Sequence, residues 1–362
     1  MNSTPPPSRP RRIVLVDPTR YLGNLLIAGG LIQAFAAHCR AQDIAFTLVV
    51  DAAFTELLQH TLPDGTLLPY PRGAIKRANL MGKLFRYVGF LRTLRGLHAD
   101  IAFNIEEDST SDRLTRWSGA RYRLGCSALH RGRGYQRVVP VELVERPAAR
   151  RHRWYSFMEV FATLGLPEPA APGYLHFPPD ALPAPPLDAL TPQGFDTTLP
   201  YAALHAGATK DYKRWPPEHF ARLAVLLREA GMQVVLIGAG SDAQQNAAVL
   251  AAAGETSGIF DATNRFTLAE LGGFLGGARA MVGNDSGPFH LASALGVPGA
   301  VIFGPTDAGL WAPLGARAQI LQHSSVCDPQ CSRRHCLYGR RCLQSITPEE
   351  VLAALREKIA AQ

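Results

Sequence analysis

The stretch from Gly283 to Leu295 places Asn284, Asp285, Ser286, Gly287, Pro288 and His290 in close succession, ahead of Leu291, Ala294 and Leu295 at helical spacing. Ala280-Met281-Val282 before it has the composition of a buried strand end. A strand tip that turns at once into a helix aims N–H groups lacking intrahelical partners, and the positive end of the helix dipole, at whatever lies above the sheet. A diphosphate suits that place, and Asp285 and His290 have the chemistry to hydrogen bond sugar hydroxyls beside it. Asn-Asp-Ser-Gly before an apolar run is equally the composition of an ordinary helix cap. The residues alone leave both readings open.

A second cluster runs His205-Ala206-Gly207-Ala208-Thr209-Lys210-Asp211-Tyr212-Lys213-Arg214-Trp215-Pro216. His205 closes a strand and Pro216 opens a helix. The loop between them carries a hydroxyl and three cations at the carboxyl end of a sheet, where α/β proteins bind ligands. A solvated loop lysine is the plain alternative for Lys213. Val235 to Asp242 adds a strand, a glycine turn and a helix start, by itself a weak nucleotide signal.

Together these motifs resemble glycosyltransferase family 9, the ADP-heptose:lipopolysaccharide heptosyltransferases. That family carries Asn-Asp-Thr/Ser-Gly-Pro-x-His-Leu-Ala-x-Ala-Leu-Gly-x-Pro, matched here from Asn284 to Pro298, then Phe-Gly-Pro-Thr-Asp-Pro, matched from Phe303 to Asp307 with Ala308 for the last proline. It also has a segment ending Lys-x-Trp-Pro, matched at Lys213 to Pro216. The resemblance is strong after residue 200 and weaker before it. It implies a GT-B fold, two Rossmann-like doubly wound α/β domains facing across a cleft. It implies inverting, metal-independent transfer of heptose or a related sugar from an ADP-sugar to a lipopolysaccharide-type or other cell-surface glycan, with no cofactor required. Lys213 would hold the donor diphosphate with Ser286, Gly287 and Pro288. Thr209 would match a family hydroxyl on the phosphates, in a loop one residue longer here. Asp285 and His290 would read the sugar, and the segments 261–263 and 267–271 would flank the nucleotide base and ribose.

The sharpest departure from the family lies in the first half. Family members have Leu-Gly-Asp after the first strand, the aspartate being the general base toward the acceptor hydroxyl; here the run is Leu22-Gly23-Asn24. An amide has no useful proton affinity near neutral pH. The base is then another carboxylate, either Asp17 in the same turn or one of Glu106, Glu107, Asp108 and Asp112. Alternatively, Asn24 orients the acceptor while a donor phosphate oxygen or water takes the proton. Two other classes stay open: a non-catalytic or weakly catalytic nucleotide-sugar- or glycan-binding homologue, and a nucleotide-sugar epimerase. Asn24 also suits a plain N-cap.

These residues need strands and helices to position them, and the pattern is strand, turn, helix in two sets. Strands are expected at 13–17, 46–50, 100–105 and 122–125, then at 202–205, 234–238, 259–261, 280–282 and 300–303. Helices are expected at 22–38, 54–60, 79–98, 111–118 and 154–164, then at 218–230, 242–253, 268–275 and 347–360. A proline-rich stretch from 167 to 200 separates the sets and holds the linker. The expected organisation is a tail at 1–11, an acceptor-side domain at 12–185, a donor-binding domain at 186–346, and a terminal helix at 347–362 that the resemblance packs back on the first domain.

The chain has 362 residues, 19% charged and 47% hydrophobic, as in a globular enzyme. The longest apolar run, 22–37, is broken by Asn24, Gly29, Gly30 and Gln33, short of a membrane span, and the protein reads as cytoplasmic. Charge is lopsided: residues 1–185 hold 23 Lys and Arg against 15 Asp and Glu, residues 186–362 hold 14 against 15. The densest part is 72–95, where Arg72, Lys76, Arg77, Lys83, Arg86, Arg92 and Arg95 interleave with aromatic and aliphatic residues. That suits an anionic glycolipid acceptor or the inner-membrane surface, or simply a solvated helix face; no nucleic-acid motif accompanies it. Of six cysteines, four cluster at Cys327, Cys331, Cys336 and Cys342. In a reducing compartment they fit a structural zinc or iron site, disulfides or free thiols being the alternative.

Overall fold

Val-, Ile- and Leu-rich segments of the kind that both faces of a parallel sheet require recur in each half of the chain. The computed structural model describes residues 5–126, 134–139, 151–178, 180–324, 336 and 339–361. The chain divides into two units, residues 1–178 and 179–362.

The first unit runs β1 (Arg12–Asp17), α1 (Leu22–Ala41), β2 (Ala45–Asp51), α2 (Thr55–Leu58), β3 (Leu67–Tyr70), α3 (Arg72–Arg77), α4 (Leu80–Gly96), β4 (Ile101–Phe103), α5 (Ser109–Trp117), β5 (Tyr122–Gly125), β6 (Arg137–Val138) and α6 (Arg153–Thr163). Its sheet is parallel throughout, ordered β3-β2-β1-β4-β5-β6. One face is sealed by α1 and α6, with the Phe35 ring 5.3–5.6 Å from those of Phe46, Phe103 and Phe161. On the other face Phe90 and Leu94 of α4 pack with Tyr70 and Leu114. At 20 residues α1 is long and apolar enough to cross a bilayer, longer than the run expected from the sequence. Its buried residues, Leu25 through Cys39, are nonetheless core of this unit. Gly30 lets the chain cross α1: a Cβ there would lie 2.5 Å from the Gly173 carbonyl oxygen.

The second unit runs β7 (Tyr201–His205), α7 (Pro217–Glu229), β8 (Gln233–Leu236), α8 (Ala243–Ala253), β9 (Ile259–Asp261), α9 (Leu268–Gly276), β10 (Ala280–Asn284), α10 (Gly287–Ala294), β11 (Gly299–Phe303), α11 (Ala308–Trp311), β12 (Ala318–Gln322), α12 (Arg341–Gln344) and α13 (Pro348–Ala360). Its sheet is again parallel, ordered β12-β11-β10-β7-β8-β9. Both orders reverse at one point, between β1 and β4 and between β7 and β10. Such a switch point opens a crevice at the carboxyl ends of the strands.

Two expectations about organisation differ from what is seen. The break falls at 178/179 rather than 185/186, because Leu182 and Pro183 lie against Gly272 and Gly273 of α9. The terminal helix α13, expected on the first domain, buries Val351, Leu352 and Leu355 in the second unit's core beside Trp215 and Phe220. Thr347 caps it, accepting from the Glu350 N–H at 3.2 Å.

Candidate active site

At the second unit's switch point, Asn284 ends β10 fully buried. Its Oδ1 accepts from the Trp215 N–H at 2.9 Å, and its Nδ2 donates to the carbonyls of Ala206 and Gly207 at 2.9 and 3.1 Å. One side chain thus clasps both ends of the 206–215 loop. Trp215 is tied down further, its Nε1 donating to the Ile346 carbonyl at 3.0 Å. The clasped loop presents Lys213, whose Nζ lies 2.6 Å from Asp285 Oδ2. Asp285 is nearly buried, so the pair holds the lysine in a fixed direction.

Ser286 is the N-cap of α10, yet it makes no side-chain cap bond among the described residues. Its Oγ shares a 2.9 Å hydrogen bond with His205 Nδ1 instead. On the other side of the ring, His205 Nε2 stands 3.7 Å from Asp242 Oδ2. Burial works against the Asp242 carboxylate, but the bond and charge from His205 and the Ala239 N–H outweigh it and hold its pKa below the usual range. Gly207 is required here, since a Cβ would sit 2.2 Å from Asp242 Oδ1.

These groups edge a pocket of about 540 Å³. Its lining combines polar groups, among them His205, Thr209, Arg214, Asp242, Asn264 and Ser286, with the apolar Ala262, Phe266, Leu268 and Leu271. Phe266 is stacked on Phe274, centroids 4.8 Å apart, which fixes one wall. The volume and the mixed lining suit a nucleoside diphosphate, base against Phe266 and Leu271 and phosphates at the helix start.

The first unit's switch point gathers acids. Asp17 ends β1 fully buried, and neither of its oxygens has a hydrogen-bond partner among the described residues. Burial, then the charges of Glu106 and Asp108, push its pKa well above the usual carboxylate range against Arg153. Asn24 is in the first turn of α1, where Tyr21 is the N-cap, so it is not the cap residue. Its Nδ2 donates to Glu106 Oε1 at 2.7 Å. Asp108 caps α5, accepting from the N–H groups of Thr110 and Ser111 at 2.8 and 3.1 Å. Asp112 is engaged by Arg116 at 2.5 Å and by the Tyr135 hydroxyl at 2.9 Å.

The model of glycosyltransferase family 9 (heptosyltransferase) matches residues 88–340. This chain belongs to that family. It is a glycosyltransferase. Lipopolysaccharide heptosyltransferase 3 of Escherichia coli K12 is 26% identical over 288 residues, covering 78% of this chain and 81% of that one. Lipopolysaccharide heptosyltransferase 1 of Pseudomonas aeruginosa is 34% identical over 143 residues, which is 40% of this chain and only 39% of that relative's length. The solved structure of the E. coli ADP-heptose lipopolysaccharide heptosyltransferase II superposes with a TM-score of 0.71 at 20% identity, over 97% of this chain and 99% of that one. That likeness is one of fold, and the fold is GT-B.

Within this family 9 chain, the expected donor residues do not all stand in one place. Thr209, Ser286, Gly287 and Pro288 line the pocket together. Lys213 and Asp285 pair with each other outside that lining. His290 is buried in α10. Arg214, Phe266 and the His205–Asp242 couple were not singled out from the sequence. The Thr267 capping box with Glu270, legible in the residues, marked the helix start next to Phe266. Cys327 and Cys331 lie outside the described residues. Cys336 Sγ accepts from the Arg340 N–H at 3.2 Å and Cys342 is buried in the hydrophobic core, and among the described residues no group of three or more His, Cys, Asp or Glu is placed to hold a metal ion.

Proposed function

We propose that this chain moves heptose, or a closely related sugar, from an ADP-sugar to a lipopolysaccharide-type or other cell-surface glycan. The carrying observation is the pocket whose apolar lining and uncapped α10 start fit a nucleoside diphosphate, with Lys213 fixed beside Asp285. The names of the relatives, lipopolysaccharide heptosyltransferases, support the choice of sugar and acceptor class. In the transfer, an acceptor oxygen attacks the anomeric carbon, the bond to the donor β-phosphate breaks, and ADP leaves with the electron pair. Lys213 and the α10 N–H groups would offset the charge growing on that leaving group. The step as proposed uses no metal, so dialysis against EDTA is expected to leave turnover unchanged.

The test is incubation with ADP-heptose and a panel of glycan acceptors, followed by ADP release and product mass. Sugar transfer is the expected result. Donor binding without transfer to any acceptor would make this a binding homologue, and sugar isomerisation without acceptor an epimerase.

The acceptor is proposed to be presented at an anionic membrane on the cytoplasmic side. Leu80, Met81, Leu84 and Phe85 at the start of α4 are 82%, 74%, 58% and 79% exposed, with Lys76, Arg77, Lys83 and Arg86 exposed around them. No acidic residue occurs between Asp64 and Asp100. Apolar side chains within a basic surface suit the interface of an anionic bilayer. Co-flotation with vesicles containing phosphatidylglycerol, lost at high salt and in the Leu84→Glu/Phe85→Glu variant, is expected. Equal binding to neutral vesicles would count against it.

A further inference from the structure

We propose that Glu106 is the general base that removes the acceptor hydroxyl proton, positioned by the amide of Asn24. The inference rests on the transfer reading above and names the residue that reading leaves open.

The argument starts from place. Glu106 follows β4 and Asn24 opens α1, so both lie at the carboxyl ends of the neighbouring strands β1 and β4, where the sheet order reverses. Asn24 Nδ2 donates to Glu106 Oε1 at 2.7 Å, which fixes the carboxylate. Of the other four acids of the cluster, three have different employment. Asp17 is 0% exposed, sealed from any acceptor, whereas Glu106 retains 9% exposure. Asp108 caps a helix, and Asp112 is held by Arg116 and Tyr135.

Charge explains the amide at position 24. Glu106 is faced by Asp17 from β1, Glu107 and Asp108 from its own loop, Cys126 after β5 and the buried Arg153 of α6. A second carboxylate at position 24 would press against Glu106 with Arg153 as the one cation among these groups. An amide instead donates to it. The carboxylate stands in the loop after β4, and the amide in the first turn of α1 serves it.

Proton affinity agrees. Burial raises the Glu106 pKa, Arg153 and the Asn24 bond lower it, and the charges of Asp108 and Glu107 raise it again, leaving it pushed up to about 7. A base near the working pH combines an adequate ionised fraction with real basicity. In the step, the acceptor O–H proton passes to the Glu106 carboxylate. The oxygen's electron pair forms the bond to the anomeric carbon, and the departing ADP keeps the pair of the broken C–O bond. Glu106 then returns its proton to solvent.

The experiment compares the full-length chain with its Glu106→Gln and Glu106→Asp variants, and with Asn24→Asp built into Glu106→Gln. Expected for the natural protein is a kcat/KM that rises about tenfold per pH unit below pH ~7 and levels above it. Glu106→Gln should lower kcat by roughly 10²–10⁴-fold and abolish that pH step, with ADP affinity unchanged. Glu106→Asp should keep part of the turnover and the step. Asn24→Asp in the Gln background should restore turnover by returning a carboxylate to the family position. If the natural protein transfers sugar and Glu106→Gln keeps its kcat and pH profile, Glu106 is not the base. If the natural protein binds ADP but transfers to no acceptor, the transfer reading falls first and takes this inference with it.

Discussion

Replacing Lys213 by alanine is expected to lower kcat by roughly 10²–10³-fold, the usual consequence of removing one preorganised group that stabilises developing charge. The leaving group of the proposed reaction is ADP, whose β-phosphate gains negative charge as the glycosidic bond breaks. Lys213 is held ready by the 2.6 Å contact to Asp285 and by the loop that Asn284 clasps, so little reorganisation is needed at that moment. The same variant leaves the nearly buried Asp285 without its cation, and a stranded charge costs stability. Its melting temperature should therefore fall as well. Pairing Lys213→Ala with Asp285→Asn separates the two effects. The double variant should regain most of the lost melting temperature and none of the turnover. Steady-state kinetics and thermal melts on the three variants decide it. Unchanged turnover and unchanged ADP affinity in Lys213→Ala would remove the diphosphate role altogether.

That double variant also shows where reading residues in sequence reached its limit. Lys213 and Asp285 were both legible as site residues, one assigned to phosphate and the other to sugar. Their contact was not, because it joins segments 72 positions apart and depends on how β7 and β10 pair. The central strands and long helices could be read from apolar runs and periodicity. Three of the four edge strands could not: β3 contains Pro69, β6 has two residues, and β12 is largely half-buried, so none of the three carries the signature of a strand covered on both faces. The terminal helix was misplaced for a related reason. Its apolar stripe of Val351, Leu352 and Leu355 announces that it packs on something, and says nothing of which unit supplies the partner.

The base shows the same limit from another side. Five acids were chemically eligible once Asn24 had excluded itself. What separates four of them is burial and partners: Asp17 sealed, Asp108 capping, Asp112 engaged, Glu106 bonded to Asn24. None of those properties is a property of residue type.

The largest structural effect is expected from Asn284, a residue whose role the motif alone did not disclose. It is fully buried and satisfies one backbone donor and two backbone acceptors of another loop. Asn284→Ala would leave the Trp215 N–H and the Ala206 and Gly207 carbonyls without that partner. Each buried unsatisfied group costs about 1–3 kcal/mol, and since the loop can relax, a net loss on the order of 3 kcal/mol is expected. Asn284→Asp should be no better, although it is the same size. A carboxylate can accept from Trp215 but offers the two carbonyls only lone pairs, in a fully buried site. Function should fail along with stability, because freeing the 206–215 loop releases Thr209 and Lys213 from their fixed positions. Urea unfolding should show a lower midpoint for both variants, and ADP titration a weaker affinity even at temperatures where they remain folded. A variant with the natural midpoint and natural ADP affinity would mean that the loop is held by Trp215 and its contact to Ile346, and that Asn284 only fills space.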